Sequence, residues 1–436
     1  MTRPVFLAEC KDNVDRIINP GAVDGAPMRP ATRVLVITGY YPPDDAVGGL
    51  RASRFCRYLP RHGFQPVVIA RRQAGVAYPA NQVVRCPLED PPTRRLVLAE
   101  RAAEAFQRHL LPYNEELPWV PHAISAANDI LKRTPVAAVL STSPPVATHL
   151  AALYLKLRYG IKWIADFRDP VSGNAFRIRK YTSGYNALLQ HAILAHADAV
   201  ITVTDTIHEE WLERYQPWAR KIHLIWNGFD PEEAAPQSAI PDRPYRVLAH
   251  VGSIYGGRHP HLLLAAMERL ISLGRLNPAQ VRVRLIGVVE EATLRPHSPP
   301  ARTLIEHGCL ECGMGDVPRD AALRAIAEAD FLLLLDGNAL SIGYTLPAKV
   351  FEYIRTGRPI LAITGRSSPV DRILSRSGIP FLCLYYDDPA EQVDTKVLQF
   401  FGLKSEPVEP SAWFLSQFDG RRQVQTLAEI LTRVCS

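Results

Sequence analysis

The stretch Ser341–Ile363, SIGYTLPAKVFEYIRTGRPILAI, carries the most chemistry in the 436-residue sequence. Pro347 suits the first turn of a helix, and Gly357 suits its stop. Backbone N–H groups from Thr345 to Ala348 would then lack helical partners and favour an anion such as a diphosphate. Lys349 falls in that first turn, where a cation is disfavoured until an anionic ligand sits against it. Glu352, three positions on, lies on nearly the same face, and its oxygens could accept from sugar hydroxyls. The same spacing also describes a plain surface Lys–Glu pair. Two glycine-rich segments, Gly48-Gly49 and Gly252-Ser-Ile-Tyr-Gly-Gly-Arg258, could admit phosphate against the backbone. Neither closes with the Gly-Lys-Ser/Thr of a Walker loop, and neither matches the dinucleotide fingerprint, which argues against an NTPase and an NAD enzyme. Asp166 and Asp169 flank Arg168. We expect Asp166 to orient an acceptor hydroxyl, while Asp169-Pro170 reads as an ordinary turn start. His149 opens a helix after Ser143-Pro-Pro145, as a site residue or as a polar cap neighbour.

These residues follow short apolar runs that read as buried parallel strands. Strand Arg33–Thr38, helix Leu50–His62 and strand Pro66–Ala70 form a first βαβ unit. Strands at Ala137–Ser141, Lys162–Asp166, Ala199–Thr204 and His223–Trp226 continue it, alternating with helices at His149–Arg158, Tyr185–His196 and Ile207–Tyr215. A Pro- and Ala-rich stretch, Pro231–Pro244, reads as a linker. The alternation restarts with strand Arg246–Gly252 and runs through helix His261–Leu273, strand Phe331–Leu335 and helix Lys349–Thr356. The pattern predicts an α/β protein of two facing, doubly wound, Rossmann-like domains with the site in the cleft between them. We divide the chain into an irregular extension (1–30), a first α/β domain (31–235), a linker (236–244) and a second α/β domain (245–410). A C-terminal helical segment (411–436) is expected to return to the first domain.

Hydrophobic residues at 47% and charged residues at 22% exclude a disordered, collagen-like or coiled-coil chain. Seven widely spread cysteines point to a reducing compartment, not a disulfide scaffold. Cys309-Leu-Glu-Cys312 lacks a second ligand pair and reads as a strand, so no metal site is expected. Val136–Leu155 is broken by Ser-Thr-Ser-Pro-Pro and cannot span a bilayer, and the N-terminus lacks a secretory pattern. We therefore expect a cytoplasmic protein. Residues 1–180 hold 25 Lys+Arg against 15 Asp+Glu, and residues 181–436 hold 25 against 29. The basic first part favours anionic partners or a solvated basic surface. Nucleic acid is not expected, because no zinc-finger spacing or RNA-binding signature accompanies the charge. Trp119, Pro121 and His122, with the helical stretch Arg95–Leu111 before them, could meet lipid or a protein core.

The segments RVLVITGYYPPDDAVGGLRASRFCRYLPRHGFQPVVIA, STSPPVATHLAALYLKLRYGIKWIADFRDP, ADAVITVTDTIHEEW, LIWNGFDPEE, HVGSIYGGRHPHLLLAAMERL and LPAKVFEYIRTGRPILAI occur in this order over roughly residues 33–375. Taken together they resemble the nucleotide-sugar glycosyltransferases of GT-B fold, in the retaining family 4 and its bacterial polysaccharide-assembly relatives. The resemblance implies a donor nucleotide-diphosphate sugar, no other cofactor, and a first domain holding a sugar or lipid-linked acceptor. It places Glu352 on the ribose hydroxyls. The family's first glutamate falls on Tyr344, its Arg…Lys pair on Ser253 and Arg258, and its histidine after the fourth strand on Ser143. The expected catalytic residues are Arg258, Lys349 and Asp166. The expected nucleotide-sugar contacts are Gly49, Gly252, Ser253, Tyr255, Tyr344, Thr345, Leu346 and Glu352. The expected acceptor contacts are Arg51, Ser143, His149 and Arg168. Without an Asp-x-Asp metal motif, fixed positive charge would stabilise the leaving diphosphate. A peripheral position at the inner face of the membrane follows from the charge split and the implied acceptor. Because Tyr344, Ser253 and Ser143 depart from the pattern, a non-catalytic partner subunit stays open, as does a nucleotide-sugar epimerase of the same fold.

Overall fold

The computed structural model describes residues 32–44, 48–72, 83–87, 117–173, 183–236, 240–254, 258–289, 298–313, 315, 317–337 and 346–436. The chain forms two compact units, Met1–Trp226 with Gly420–Ser436 and Asn227–Asp419.

In the first unit the elements run β1 (Thr32–Thr38), α1 (Gly48–Tyr58), β2 (Phe64–Arg71), β3 (Val83–Cys86), α2 (Trp119–Arg133), β4 (Ala138–Ser143), α3 (Ala147–Tyr159) and β5 (Lys162–Phe167). They continue with α4 (Ser183–His196), β6 (Ala199–Thr202), α5 (Asp205–Arg214) and β7 (Ile222–Leu224). Among the described residues the sheet has seven strands, ordered β3-β2-β1-β4-β5-β6-β7. Every strand pair is parallel. The middle strands are buried on both faces, which is why β1 and β4 read as unbroken apolar or small runs and not as alternating ones. Strand order reverses between β1 and β4, beyond Thr38 and Ser143, which is where open parallel sheets generally bind ligands.

The second unit runs β8 (Arg246–Val251), α6 (His261–Ser272), β9 (Val281–Ile286), α7 (Ser298–Glu306), β10 (Leu310–Cys312), α8 (Arg319–Ala327), β11 (Phe331–Leu335) and α9 (Lys349–Arg355). Then come β12 (Ile360–Thr364), α10 (Pro369–Ser377), β13 (Phe381–Tyr385), α11 (Ala390–Phe401) and α12 (Ala412–Gln417). Its six described strands are ordered β10-β9-β8-β11-β12-β13, again all parallel, with the reversal between β8 and β11. Cys309 is buried and Cys312 half-buried at the edge strand β10.

The last helix, α13 (Gly420–Cys435), belongs to the first unit. Val424, Leu427, Ile430 and Leu431 recur at helical spacing and enter the core formed by Phe55, Tyr58 and Leu59 around α1 with β1 and β2. Trp119, at the start of α2, is 1% exposed: it is a core residue and does not face lipid. The helical stretch Arg95–Leu111 lies outside the described residues.

Leu427→Ala should destabilise the first unit by about 2–5 kcal/mol, since Leu427 is fully buried and its removal leaves a cavity. Urea unfolding followed by the fluorescence of the buried Trp119, Trp163 and Trp211 should show an earlier transition.

Candidate functional site

In the first unit, the ends of β1, β4 and β5 are tied together by side chains that sequence placed at the acceptor. Asp166 accepts from Arg51 at 2.8 and 2.9 Å and from Thr142 Oγ1 at 2.8 Å. Arg51 also donates to the carbonyls of Ile225 and Trp226. Both side chains are buried, Asp166 completely. Asp166, expected to orient an acceptor hydroxyl, and Arg51, expected to bind an acceptor, thus have their charges paired with each other inside the unit. A helix-borne cation and a strand-end carboxylate meet here because α1 packs over the sheet.

Arg168 is likewise occupied. Its Nε donates to Ser143 O at 3.1 Å, its Nη1 to Gly48 O at 2.6 Å, and its Nη2 to Pro144 O. It therefore staples the glycine loop to the loop after β4, which holds cis peptides at Ser143–Pro144 and Pro144–Pro145. Gly39 makes that approach possible, since a Cβ there would lie 2.2 Å from Pro145 Cδ. Gly49 packs against the backbone of Tyr40 and Tyr41 in this unit.

His149 is fully buried against Phe167, ring centroids 4.5 Å apart. Trp163 Nε1 donates to Ser141 Oγ at 2.8 Å, and the serine proton goes to His149 Nδ1 at 2.7 Å. His149 Nε2 then keeps its hydrogen and has no partner, as Ser143 Oγ has none, among the described residues. Burial pushes the imidazole pKa down to about 3, opposed by the nearby Asp166 charge, so the ring is neutral. Two orphaned polar atoms at one strand end are a place for a hydroxyl or a water.

In the second unit the polar groups gather at the ends of β8 and β11 and at the start of α9. Lys349 Nζ lies 3.2 Å from His250 Nε2. It crosses directly over Gly252, where a Cβ would stand 2.5 Å from Nζ and where φ is +121°. Burial and the Arg258 charge push the Lys349 pKa down to about 8, against the pull of Glu352. The Arg258 charge is thus felt at Lys349, whose ammonium lies in a largely desolvated place. Glu352 is paired with Arg319 at 3.3 Å, and Arg319 also holds Glu233 at 3.2 Å. Leu346 is buried before α9 and Ser253 is exposed. Tyr255, Tyr344 and Thr345 lie outside the described residues.

Sequence reading missed His250, Asp336 and Arg319. Asp336 follows β11, accepts from Thr364 Oγ1 at 2.7 Å and from Gly337 N at 2.8 Å, and burial pushes its pKa up to about 6. Its only signal was an acid closing the run FLLLL. His250 was signalled by a single polar residue inside RVLAHVG. Arg319 left no signal, because its partner Glu352 is distant in sequence.

A model of glycosyltransferase family 4 matches residues 49–233. No curated protein is similar to the chain by sequence. Among solved structures, sucrose-phosphate synthase from Thermosynechococcus elongatus is similar at a TM-score of 0.60 and 12% identity, over 92% of this chain and 97% of that one. HepE from Anabaena, in complex with UDP and glucose, is similar at 0.61 and 13%, over 92% and 100%. A glycosyltransferase from Rickettsia africae is similar at 0.60 and 12%, over 92% and 98%. At these identities the likeness concerns the fold, a GT-B arrangement of two Rossmann-like domains.

Asp166→Ala should cost about 3–5 kcal/mol of stability, because it leaves the Arg51 guanidinium buried without its carboxylate. Asp166→Asn, which keeps an acceptor for Arg51, should cost less. Thermal unfolding of the two variants beside the wild type measures the difference.

Proposed function

We propose that this chain, a glycosyltransferase enzyme of GT-B fold, transfers a sugar from a nucleoside-diphosphate sugar to an acceptor hydroxyl, with retention and without a metal. The observation that carries this reading is the Lys349 ammonium laid over Gly252 with the Arg258 charge beside it, at the carboxyl ends of the second sheet. Like charges held together out of water cost free energy in the free protein, and a diphosphate relieves that cost. As the sugar–phosphate bond breaks, charge grows on the leaving diphosphate, where fixed cations stabilise it most. Glu352 exchanges Arg319 for ribose hydroxyls, and Arg319 keeps Glu233 as its partner. That HepE was crystallised with UDP and glucose supports a uridine-based donor. The leaving phosphate helps deprotonate the acceptor, so no separate base is required.

In the first unit, His149 Nε2 and Ser143 Oγ are the acceptor contacts the geometry favours, as a donor and a hydroxyl left unpaired at one strand end. The acceptor is an anionic or lipid-linked sugar reached at a membrane surface. The support is a surface formed by the contacting helices α3 and α4. Tyr154, Leu157, Tyr185 and Leu188 are exposed there, Leu157 at 64% and Leu188 at 71%. Neither helix contains an acidic residue, and Arg158 lies among the apolar ones, while Lys156 is paired with Asp198 at 2.6 Å. Such a face suits an anionic bilayer surface. No helix among the described residues is long and apolar enough to cross a membrane.

Three outcomes test this reading. Glu352→Ala should weaken UDP binding by roughly 1.5–3 kcal/mol in calorimetry without changing the thermal transition of the free protein. Arg258→Ala should lower kcat more than it raises KM, and excess EDTA should leave wild-type turnover intact. Finally, the protein should float with phosphatidylglycerol vesicles at low salt and less at high salt, and Leu157→Glu with Leu188→Glu should abolish flotation while leaving transfer to a water-soluble acceptor unchanged.

A further inference from the structure

We infer that His250 is the positioning residue for Lys349: a neutral imidazole of fixed tautomer whose Nε2 lone pair holds the lysine ammonium in place over Gly252. The inference rests on the diphosphate-binding reading of Lys349 and goes beyond it by naming what orients the charge.

The tautomer follows from the sheet. The β8–β11 ladder pairs Leu248 with Phe331 and Ala249 with Leu332 and goes no further. His250 is the next residue, 1% exposed, and its Nδ1 lies 2.9 Å from the Leu333 carbonyl. A carbonyl can only accept, so Nδ1 carries the hydrogen and Nε2 the lone pair. The side chain thus continues the strand pairing where the backbone stops. It presents a pure acceptor to Lys349 Nζ, 3.2 Å away.

The charges around it keep that acceptor neutral. Lys349 of α9 and Arg258 of the segment after β8 act on it; Glu352 of α9 acts on Lys349 and is held by Arg319 of α8, and Asp336, at the end of β11, is near the Arg258 charge. Protonating His250 would add a third positive charge beside Lys349 and Arg258 in a buried place. Burial first, and then the Lys349 charge, hold its pKa well below the ordinary histidine value. Lys349, in turn, is held between the imidazole and Gly252, where any side chain at 252 would collide with it. A lysine has four rotatable bonds, so ordering its ammonium before ligand arrives lowers the entropic cost of binding. An acceptor within hydrogen-bond distance also favours the charged ammonium, countering the desolvation that favours the neutral amine.

The sign of the pH effect follows. UDP requires Lys349 charged, so wild-type affinity is full below the lysine's pKa, about 8 in the free protein, and falls as pH rises through it. Removing the acceptor lowers that pKa, so the fall begins at lower pH. The test is calorimetric titration with UDP from pH 6 to 9.5 for wild type, His250→Leu, His250→Gln and Lys349→Gln. In His250→Leu the alkaline fall should move down by about one pH unit, giving about tenfold weaker binding at pH 8.5 and a much smaller loss at pH 6. His250→Gln, whose amide can donate to Leu333 and accept from Lys349, should restore most of the wild-type profile. Lys349→Gln should remove the alkaline fall altogether. An unshifted midpoint in His250→Leu, while Lys349→Gln is flat, overturns the role of His250 and spares that of Lys349. Undiminished UDP affinity in Lys349→Gln overturns both. If His250→Leu does not fold, the ¹⁵N spectrum of wild-type imidazoles decides. One ring should stay neutral and Nδ1-protonated from pH 5.5 to 8.5, and titration of His250 near 6.5 would refute the proposal.

Discussion

A parallel sheet covered on both faces leaves polar groups almost nowhere to go except beyond the ends of its strands. Everything chemical in this protein follows from that constraint, applied twice. Strands such as VLVI of β1 and FLLLL of β11 are buried throughout, so polar side chains gather toward the strand ends, at Thr38, Ser143, Asp166, His250 and Asp336. Each of those is itself buried and must find a partner or leave an orphan, and the pattern of partners separates the two units.

In the first unit the charges are settled internally. Arg51 and Asp166 neutralise each other, and Arg168 is used up on three carbonyls that shape the glycine loop and the turn after β4. What remains unpaired is neutral: the Nε2 hydrogen of His149 and the hydroxyl of Ser143. In the second unit two cations, Lys349 and Arg258, act on each other, and the carboxylate nearest in sequence, Glu352, is turned to Arg319. A neutral hydrogen-bonding end suits a hydroxylated partner, and a positively charged end suits a diphosphate. That difference, more than any motif, assigns acceptor and donor to different units in the proposed reaction.

The period of apolar runs and the Gly and Pro between them were enough to read the α/β class, the two sheets and most of their strands, because a doubly buried strand needs an uninterrupted apolar run of five or six residues. The short edge strand β3 and the helices from α10 onward were harder. An edge strand of four residues carries little pattern, and a short amphipathic helix such as α10 shows an apolar stripe without showing which core it enters, whereas the expected return of the C-terminal segment to the first domain is made by α13. Residue types also placed Lys349, Glu352, Arg258 and the glycine loops at strand ends, because position along a βα unit is a local property.

Partnership is not local, and there only the folded chain could decide. Arg51 and Asp166 are 115 positions apart and His250 and Lys349 are 99 apart, so no spacing rule joins them. Read singly, Asp166 looked like a free carboxylate and His250 like a polar interruption in a strand. The sequence determined which groups stand at the ends of the strands. Tertiary packing determined which of them neutralise one another and which do not, because Coulomb energy and desolvation depend on distances and burial that exist only once the sheets and helices are assembled.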